Sequence, residues 1–180
     1  MNLTLPPPTI LNPFSVECLG IFGGQLAASA IWASGTYPAA NRAYFFPFST
    51  EEPFTIRLLG LINGATVSGN FDLGLYLPNG TRIASTGSTA QAGVSAKQTV
   101  NITDVLMSSP HWYLALAFDN TTATIQRVNT GGPLADAILL SGLGLQTMET
   151  AFPLPATATF AAAPAAALFP AVFASRCTLV

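Results

Sequence analysis

The sequence predicts an all-β protein: a single antiparallel β-sandwich domain, jelly-roll-like, with extended N- and C-terminal arms. Three observations predict it. Short stretches of alternating apolar and polar residues follow one another between residues 42 and 128, at spacings of about eight to twelve residues. Turn residues separate these stretches, and no helical pattern lies between them, which argues against a parallel α/β sheet. Both flanks are rich in proline and apolar residues.

Residues 70–77 (NFDLGLYL) show the clearest alternation. Phenylalanine and leucines point to one side, and Asn70, Asp72, Gly74 and Tyr76 point to the other, which is the pattern of a half-buried strand. Pro78-Asn79-Gly80 then supplies a turn, and residues 81–85 return. This segment therefore predicts a β-hairpin.

Five further stretches complete a set of seven predicted strands. In residues 54–62, Phe54, Ile56 and Leu58 are expected on one side. Residues 112–118 (WYLALAF) are the strongest candidate for a central strand, with the tryptophan, both leucines and the phenylalanine on one face. The following strand is expected to pair with it as a second hairpin, and residues 104–110 are expected to be a connection. The five stretches are 42–48, 54–62, 96–103, 112–118 and 123–128.

The flanking segments define the expected domain boundaries. Residues 1–15 are an arm, since four prolines remove amide donors and prevent a helix. Residues 16–133 form the sandwich, beginning with a short strand and a packed loop in which residues 26–32 make a turn or two of helix. Residues 134–180 are a second arm, which starts as a short buried helix within 134–150 and returns to the sheet as a strand within 168–175. The alternative for this tail is a disordered linker.

Composition limits the partners. Half of the residues are hydrophobic and only 8% are charged, well below the usual quarter, so we expect other subunits to cover much of the surface. The alternative is a surface made soluble by serine, threonine and asparagine. The net charge is −2 and the six basic residues are dispersed along the chain, so we expect no nucleic-acid partner.

The cysteines and the long apolar runs add little to the prediction of structure and location. Cys18 and Cys177 permit one bridge or two thiols, and we favour two free thiols. The N-terminus has no basic region and meets three consecutive prolines, so we expect no secretion signal. The uncharged runs are broken by glycines or prolines, and we expect no membrane span.

Few residues suggest chemistry. His111 is the single histidine, and no nucleophile motif accompanies it, so we expect an ordinary histidine at a strand edge. Asp72, Asp104 and Asp119 are the carboxylates that a sheet could bring together around calcium or as an acid and base pair. Each also stands where a turn or a solvent-facing position would place an aspartate. We therefore predict no catalytic residue, no cofactor and no metal site.

Six aromatic residues are candidates for a sugar-stacking platform, although such residues are more often core or interface anchors, which is the interpretation we favour. They are Trp32, Tyr37, Tyr44, Tyr76, Trp112 and Tyr113.

Four segments resemble a family of small virion structural proteins of tailed bacteriophages. They are residues 41–48 (NRAYFFPF), 63–76 (NGATVSGNFDLGLY), 86–93 (TGSTAQAG) and 112–122 (WYLALAFDNTT). A weaker likeness lies in AFPLPATAT of the tail. No motif in these segments is catalytic, so the resemblance carries over no functional residue.

The resemblance implies a β-sandwich or jelly-roll part of a virion. Together with the low charge and the apolar arms, it leads us to expect a non-enzymatic subunit, a capsid cement or decoration protein that stabilises the shell. The expected partners are the major capsid protein or other virion proteins, with a homo-oligomer as the expected assembly. The alternative is a tail-associated or fibre protein whose β-sandwich binds a host glycan or receptor.

Overall fold

The computed structural model describes residues 32–49, 53–128, 146–148, 150–162 and 170–175. Within these ranges all regular structure is β-strand, and every strand pair is antiparallel, which confirms the predicted fold class. The strands are β1 Trp32–Thr36, β2 Ala43–Ser49, β3 Phe54–Ile62, β4 Asn70–Tyr76, β5 Arg82–Ser85, β6 Thr89–Ala90, β7 Lys97–Met107, β8 His111–Phe118, β9 Thr124–Val128, β10 Gln146–Met148, β11 Ala161–Ala162 and β12 Val172–Ser175.

The strands form two layers. The front sheet has the order β11-β10-β2-β8-β4-β5, and β6 also pairs with β4. The back layer holds the sheet β12-β3-β7 and the pair β1-β9, which are joined by bridges from Asn63 to Ile125 and from Arg127 to Pro170. Consecutive strands β2, β3 and β4 alternate between the layers, as do β7 and β8. This alternation is typical of a jelly-roll-like sandwich.

The main core lies between the layers. Since side chains alternate along a strand, the predicted apolar face of β8 points into it, and each fully buried leucine or phenylalanine contributes about 1.5–3 kcal/mol. The front sheet contributes Tyr44, Phe46, Phe48, Phe71, Leu73, Leu75, Trp112, Leu114, Leu116 and Phe118, and the back layer contributes Ile56, Leu59, Leu61, Ile102, Val105, Met107, Ile125 and Val172.

The pairing of β3 with β7 shifts in the middle. Ile56 pairs with Val105, whereas Leu58 pairs with Asn101, so two steps along β3 correspond to four along β7. The two additional residues on β7 are accommodated by an irregularity that keeps the strand paired as far as Met107. The prediction that residues 104–110 form a connection is therefore wrong for residues 104–107.

The same irregularity changes which residues of β3 face inward. Ile56, Leu59 and Leu61 are in the core, and Phe54 packs against it. The predicted common side is correct for Phe54 and Ile56 and wrong for Leu58. Leu58 is buried, but the core residues that follow Ile56 are Leu59 and Leu61, so the alternation of β3 changes side at the irregularity.

The predicted second hairpin is wrong. Strand β9 does not pair with β8; it pairs with β1, with Trp32 opposite Val128. Both sides of β8 are already occupied, by β2 and by β4. The side chain of Asn120 redirects the chain, since its Oδ1 accepts hydrogen bonds from the amides of Thr122 (2.9 Å) and Ala123 (2.7 Å).

The tail is folded onto the sandwich. Strand β12 pairs with β3, which confirms the predicted returning strand, and residues 150–162 lie on the front sheet. The linker alternative is wrong for these residues. The short helix expected at the start of residues 134–150 lies outside the described residues, and at the end of that range Gln146–Met148 is strand β10.

Several predictions fall outside the described residues. They concern the N-terminal arm, residues 26–31, residues 134–145, Cys18 and Cys177. In the part of the chain that the structure does describe, no helix has the length and apolarity needed to cross a membrane.

Candidate functional site

A strap, defined as residues 150–162, crosses the outer face of the front sheet and creates a second core. It contributes Ala151, Leu154 and Ala158, with Phe152 and Phe160 partly buried beside them. Beneath the strap lie Ala43, Phe45, Tyr76, Ala115 and Ala117 of the sheet. The front sheet is therefore buried on both faces where the strap crosses it.

The prediction of a half-buried strand for residues 70–77 is thus only half correct. The alternation places the correct residues on each side, but Asp72, Gly74 and Tyr76 are buried under the strap. Covering both faces of a strand in an antiparallel sheet requires a segment distant in sequence, which the local pattern does not reveal.

Polar side chains of the sheet hold the strap through the peptide groups around Leu154. The amide of Leu154 donates to Oδ2 of Asp72 at 3.0 Å, and its carbonyl accepts from the guanidinium of Arg82. The hydroxyl of Tyr76 donates to the carbonyl of Pro155 at 2.6 Å. We call Asp72, Tyr76 and Arg82 the strap clamp.

The turn after β4 adds backbone contacts to the strap. The amide of Arg82 donates to the carbonyl of Ala156 at 2.9 Å, and the amide of Ala158 donates to the carbonyl of Gly80 at 2.8 Å. Thr81 and Thr157 form a β-bridge between them. The hairpin predicted from Pro78-Asn79-Gly80 therefore exists, and its turn also pairs with the tail.

Asp72 is the one fully buried carboxylate among the described residues. Burial raises the pKa of Asp72 above its ordinary value, while the hydrogen bond from Leu154, the hydroxyl of Thr86 and the charge of Arg82 act in the opposite direction. Thr86 donates to Oδ1 at 3.2 Å. Since each carboxylate oxygen accepts from the protein and the strap covers them, the arrangement anchors the strap and is not suited to proton exchange with a substrate.

The clamp predicts a specific pH dependence. Because the folded state raises the pKa of Asp72, its contribution to stability is greatest below the unfolded pKa of about 3.9 and falls as pH rises through the folded value. Asp72→Asn retains an acceptor for Leu154 and removes this dependence. We expect the variant to gain stability relative to the parent protein as pH rises from 3 to 7, measured by urea unfolding.

Asp119→Asn should show the opposite trend. Burial acts to raise the pKa of Asp119, but hydrogen bonds from Asn120 and Asn70 outweigh it and lower the pKa. The contribution of Asp119 to the stability of the folded state is therefore present above about pH 4 and lost at lower pH. The variant lacks this contribution, so it should lose stability relative to the parent as pH rises. Parallel pH curves for the two variants would contradict at least one of the two assignments.

A second polar group, which we call the amide cluster, lies at one end of the sandwich and consists of Asn63, Gln91 and Gln98. Asn63 is fully buried and Gln91 nearly so. Nδ2 of Asn63 donates to the carbonyl of Ala92 (2.5 Å) and to Oε1 of Gln98 (3.1 Å), and its Oδ1 accepts from Nε2 of Gln91 (2.9 Å).

Backbone groups fix how each amide is oriented. The amide of Ser68 donates to Oε1 of Gln91 at 2.8 Å, and the amide of Ala92 donates to Oε1 of Gln98 at 2.9 Å. Because a backbone N–H can only donate, both acceptor atoms are oxygens. The cluster thereby joins the loop after β3 to the loop between β6 and β7, and it serves the fold.

The three candidate aspartates have different roles. Asp72 belongs to the strap clamp, and Asp119 accepts from the amide of Asn70 at 3.0 Å. Asp104 is exposed on β7 and lies 3.3 Å from Nε of Arg57. The described residues contain no group of three or more metal-ligating side chains.

His111 is exposed at the start of β8, directly opposite Ser49 of β2. Its Nδ1 lies 3.2 Å from Oγ of Ser49. The sequence did not reveal this contact, because it depends on the register of two strands that are far apart in the chain. It is an interaction of direct cross-strand neighbours. None of the described carboxylates hydrogen-bonds to the imidazole, so the described residues supply no third group of a triad.

Most candidate aromatic residues are core residues. Four are buried in the two cores: Tyr37, Tyr44, Tyr76 and Trp112. Tyr113 is half-buried and its ring lies 4.8 Å from that of Phe160 in the strap. The Trp32 side chain is outside the described set. The core interpretation is confirmed for the four buried rings, which cannot form a sugar-stacking surface.

The fold and these polar groups define an antiparallel β-sandwich with a strapped outer face. Comparison of the chain with protein-family models, with curated proteins and with solved structures gives no match.

Proposed function

We propose that this chain is a non-enzymatic structural subunit of a tailed-phage virion, a capsid cement or decoration protein. One observation carries the proposal beyond the sequence resemblance. Among the described residues, the buried amide, carboxyl and threonine side chains Asn63, Asp72, Gln91 and Thr147 all bind other parts of the same fold, whereas the buried hydroxyl of Tyr44 has no partner there. The buried polar chemistry therefore supports rigidity, which suits a particle subunit.

The described tail changes the role expected of the C-terminal arm. Residues 150–162 cover their own sheet, so they are not an arm lying on a neighbouring protein. The N-terminal arm retains that role in the proposal. Its apolar residues Leu3, Leu5, Ile10, Leu11 and Phe14 would bury a few hundred Å² on a neighbour, worth several kcal/mol at about 25 cal/mol per Å².

Deletion of residues 1–14 tests the proposal. We expect particles assembled with the shortened chain to contain less of it and to lose heat resistance, measured by gel densitometry of purified particles and by thermal inactivation. A full-length variant with the five apolar arm residues replaced by serine separates the loss of apolar contacts from the change in length, and it should behave like the deletion. Unchanged occupancy in both would count against a cement role.

A glycan array separates this proposal from a receptor-binding role at the tail. We favour the cement role because four of the six candidate aromatic residues are buried. Saturable binding of a sugar would favour the other.

A further inference from the structure

Two asparagines in the chain are followed directly by glycine, Asn63 and Asn79. In such a pair the backbone nitrogen of the glycine can attack the side-chain amide of the asparagine, because glycine has no side chain to shield that nitrogen and permits the backbone rotation that the attack needs. The attack closes a five-membered imide and releases ammonia. The sequence gives both asparagines the same neighbour, whereas the structure gives them opposite surroundings.

The fold protects Asn63 from this reaction. Its side chain is fully buried, and its Nδ2, which would have to leave, donates to the carbonyl of Ala92 and to Oε1 of Gln98. The attacking group would be the amide of Gly64, which donates to the carbonyl of Thr124 at 2.9 Å. Attack at Asn63 therefore requires the amide cluster to open.

Asn79 is exposed in the turn after β4. Its Oδ1 accepts a hydrogen bond from the amide of Thr81 at 3.0 Å. Negative charge develops on this same oxygen when the Gly80 nitrogen attacks Cγ, so the Thr81 amide is already placed to stabilise it. The amide of Gly80 donates to the carbonyl of Leu77 at 2.9 Å. Opening this turn is a smaller local fluctuation than opening a buried cluster.

We propose that Asn79 is a site of spontaneous, irreversible modification, at which attack by the Gly80 nitrogen leads to isoaspartate and releases the strap. The nitrogen loses its proton to solvent base and forms a bond to Cγ. The bond between Cγ and Nδ2 breaks, and the departing nitrogen takes a proton from water and leaves as ammonia. Water then opens the imide. Opening at the α-carbonyl carbon of residue 79 leaves the main chain running through Cβ and Cγ, which is isoaspartate, and opening at Cγ gives aspartate.

Isoaspartate adds one methylene group to the main chain of a turn that is tightly packed against the strap. The amide of Ala158 donates to the carbonyl of Gly80 at 2.8 Å, and a Cβ on Gly80 would overlap the carbonyl oxygen of Ala158. A longer link between residues 79 and 80 displaces Gly80 from these contacts. Aspartate keeps the original chain length, and its carboxylate can still accept from Thr81, so it leaves the strap in place.

Ageing the purified full chain at mildly alkaline pH tests the proposal. Trypsin cleaves after Arg57 and Arg82, so one peptide, residues 58–82, carries both asparagines and each is the internal standard for the other. Electron-transfer fragmentation locates the mass change and distinguishes isoaspartate from aspartate. In the folded protein we expect Asn79 to be converted at least about tenfold faster than Asn63. In guanidinium chloride, which removes the protection of Asn63, the two rates should converge.

Matched variants connect the modification to the strap. Serine at position 79 forms no imide, and aspartate brings the added charge without the added methylene group. Chymotrypsin cleavage after Phe160 of the strap should become faster as the parent protein ages and should stay slow in aged Asn79→Ser. Fresh Asn79→Asp should resist cleavage like the fresh parent. Asn79→Gln, which would have to close a larger ring, is a second non-reacting variant should Asn79→Ser fail to fold.

Three results would overturn the proposal: conversion of Asn79 no faster than that of Asn63 in the folded chain, conversion of Asn79 to aspartate alone, or isoaspartate at residue 79 with unchanged cleavage of the strap. These measurements use the isolated chain, so they are independent of the particle role and of the outcome of deleting residues 1–14.

Discussion

Replacing Asn63 with aspartate is expected to lower the free energy of unfolding by about 4 kcal/mol at pH 7. The new oxygen would replace Nδ2, which donates to the carbonyl of Ala92 and to Oε1 of Gln98, so three acceptors would face one another in a buried site. The carboxylate would take up a proton in the folded state, with a pKa well above the unfolded value of about 3.9. Keeping it protonated at pH 7 accounts for most of the penalty.

The pH dependence identifies this cause. Because the folded pKa would be raised, the penalty should be small below pH 4 and should grow as pH rises toward 7. Asn101→Asp is the matched control, since Asn101 is exposed on β7, and it should change stability by less than about 0.5 kcal/mol. Chemical unfolding at a series of pH values measures both. A loss that is independent of pH would show that the amide cluster tolerates a charge at Asn63.

The parts of the fold that the sequence predicted are those governed by neighbouring residues. The alternation in residues 70–77 and 112–118 assigned the sides of β4 and β8 correctly, because the period of a strand is set by its own backbone. The turn at Pro78-Asn79-Gly80 was predicted correctly for the same reason, since Gly80 has a φ of +85° and the sequence shows the residue type that this requires.

The parts that the sequence did not predict depend on distant segments. Leu58 was assigned to the wrong face because the shift in pairing with β7 is a property of two strands together. Strand β9 was paired with β8 because the two are close in sequence, whereas β2 and β4 already occupy both sides of β8.

The candidate site was missed for a related reason. Nothing next to Asp72 in the chain shows that it is buried; the strap that covers it begins almost eighty residues later. A signal was present, however, because the apolar residues of the strap and the aspartate on the outer side of β4 both needed partners. In the sequence these two requirements lie far apart. In the structure they are met together where the amide of Leu154 donates a hydrogen bond to Asp72.

Gly80→Ala is expected to destabilise the protein by about 3–4 kcal/mol and to loosen the strap. Part of this, about 1–2 kcal/mol, is the strain of a side chain at positive φ. The rest arises because the new Cβ would overlap the carbonyl oxygen of Ala158, which is backbone and cannot rotate away. The hydrogen bond from the amide of Ala158 to the carbonyl of Gly80 and the apolar contacts of the strap would then be disturbed.

Gly87→Ala measures the first contribution alone, so the difference between the two variants gives the second. Gly87 also has a positive φ, +66°, but a Cβ there would meet no atom within 4 Å, so we expect a loss of only about 1–2 kcal/mol. Urea unfolding gives both values, and chymotrypsin cleavage after Phe160 reports on the strap directly, because a loosened strap exposes this site. Faster cleavage in Gly80→Ala but not in Gly87→Ala is the expected result. Equal stability losses with unchanged cleavage would mean that the turn after β4 does not support the strap, and that Asp72, Tyr76 and Arg82 hold it without help from the turn.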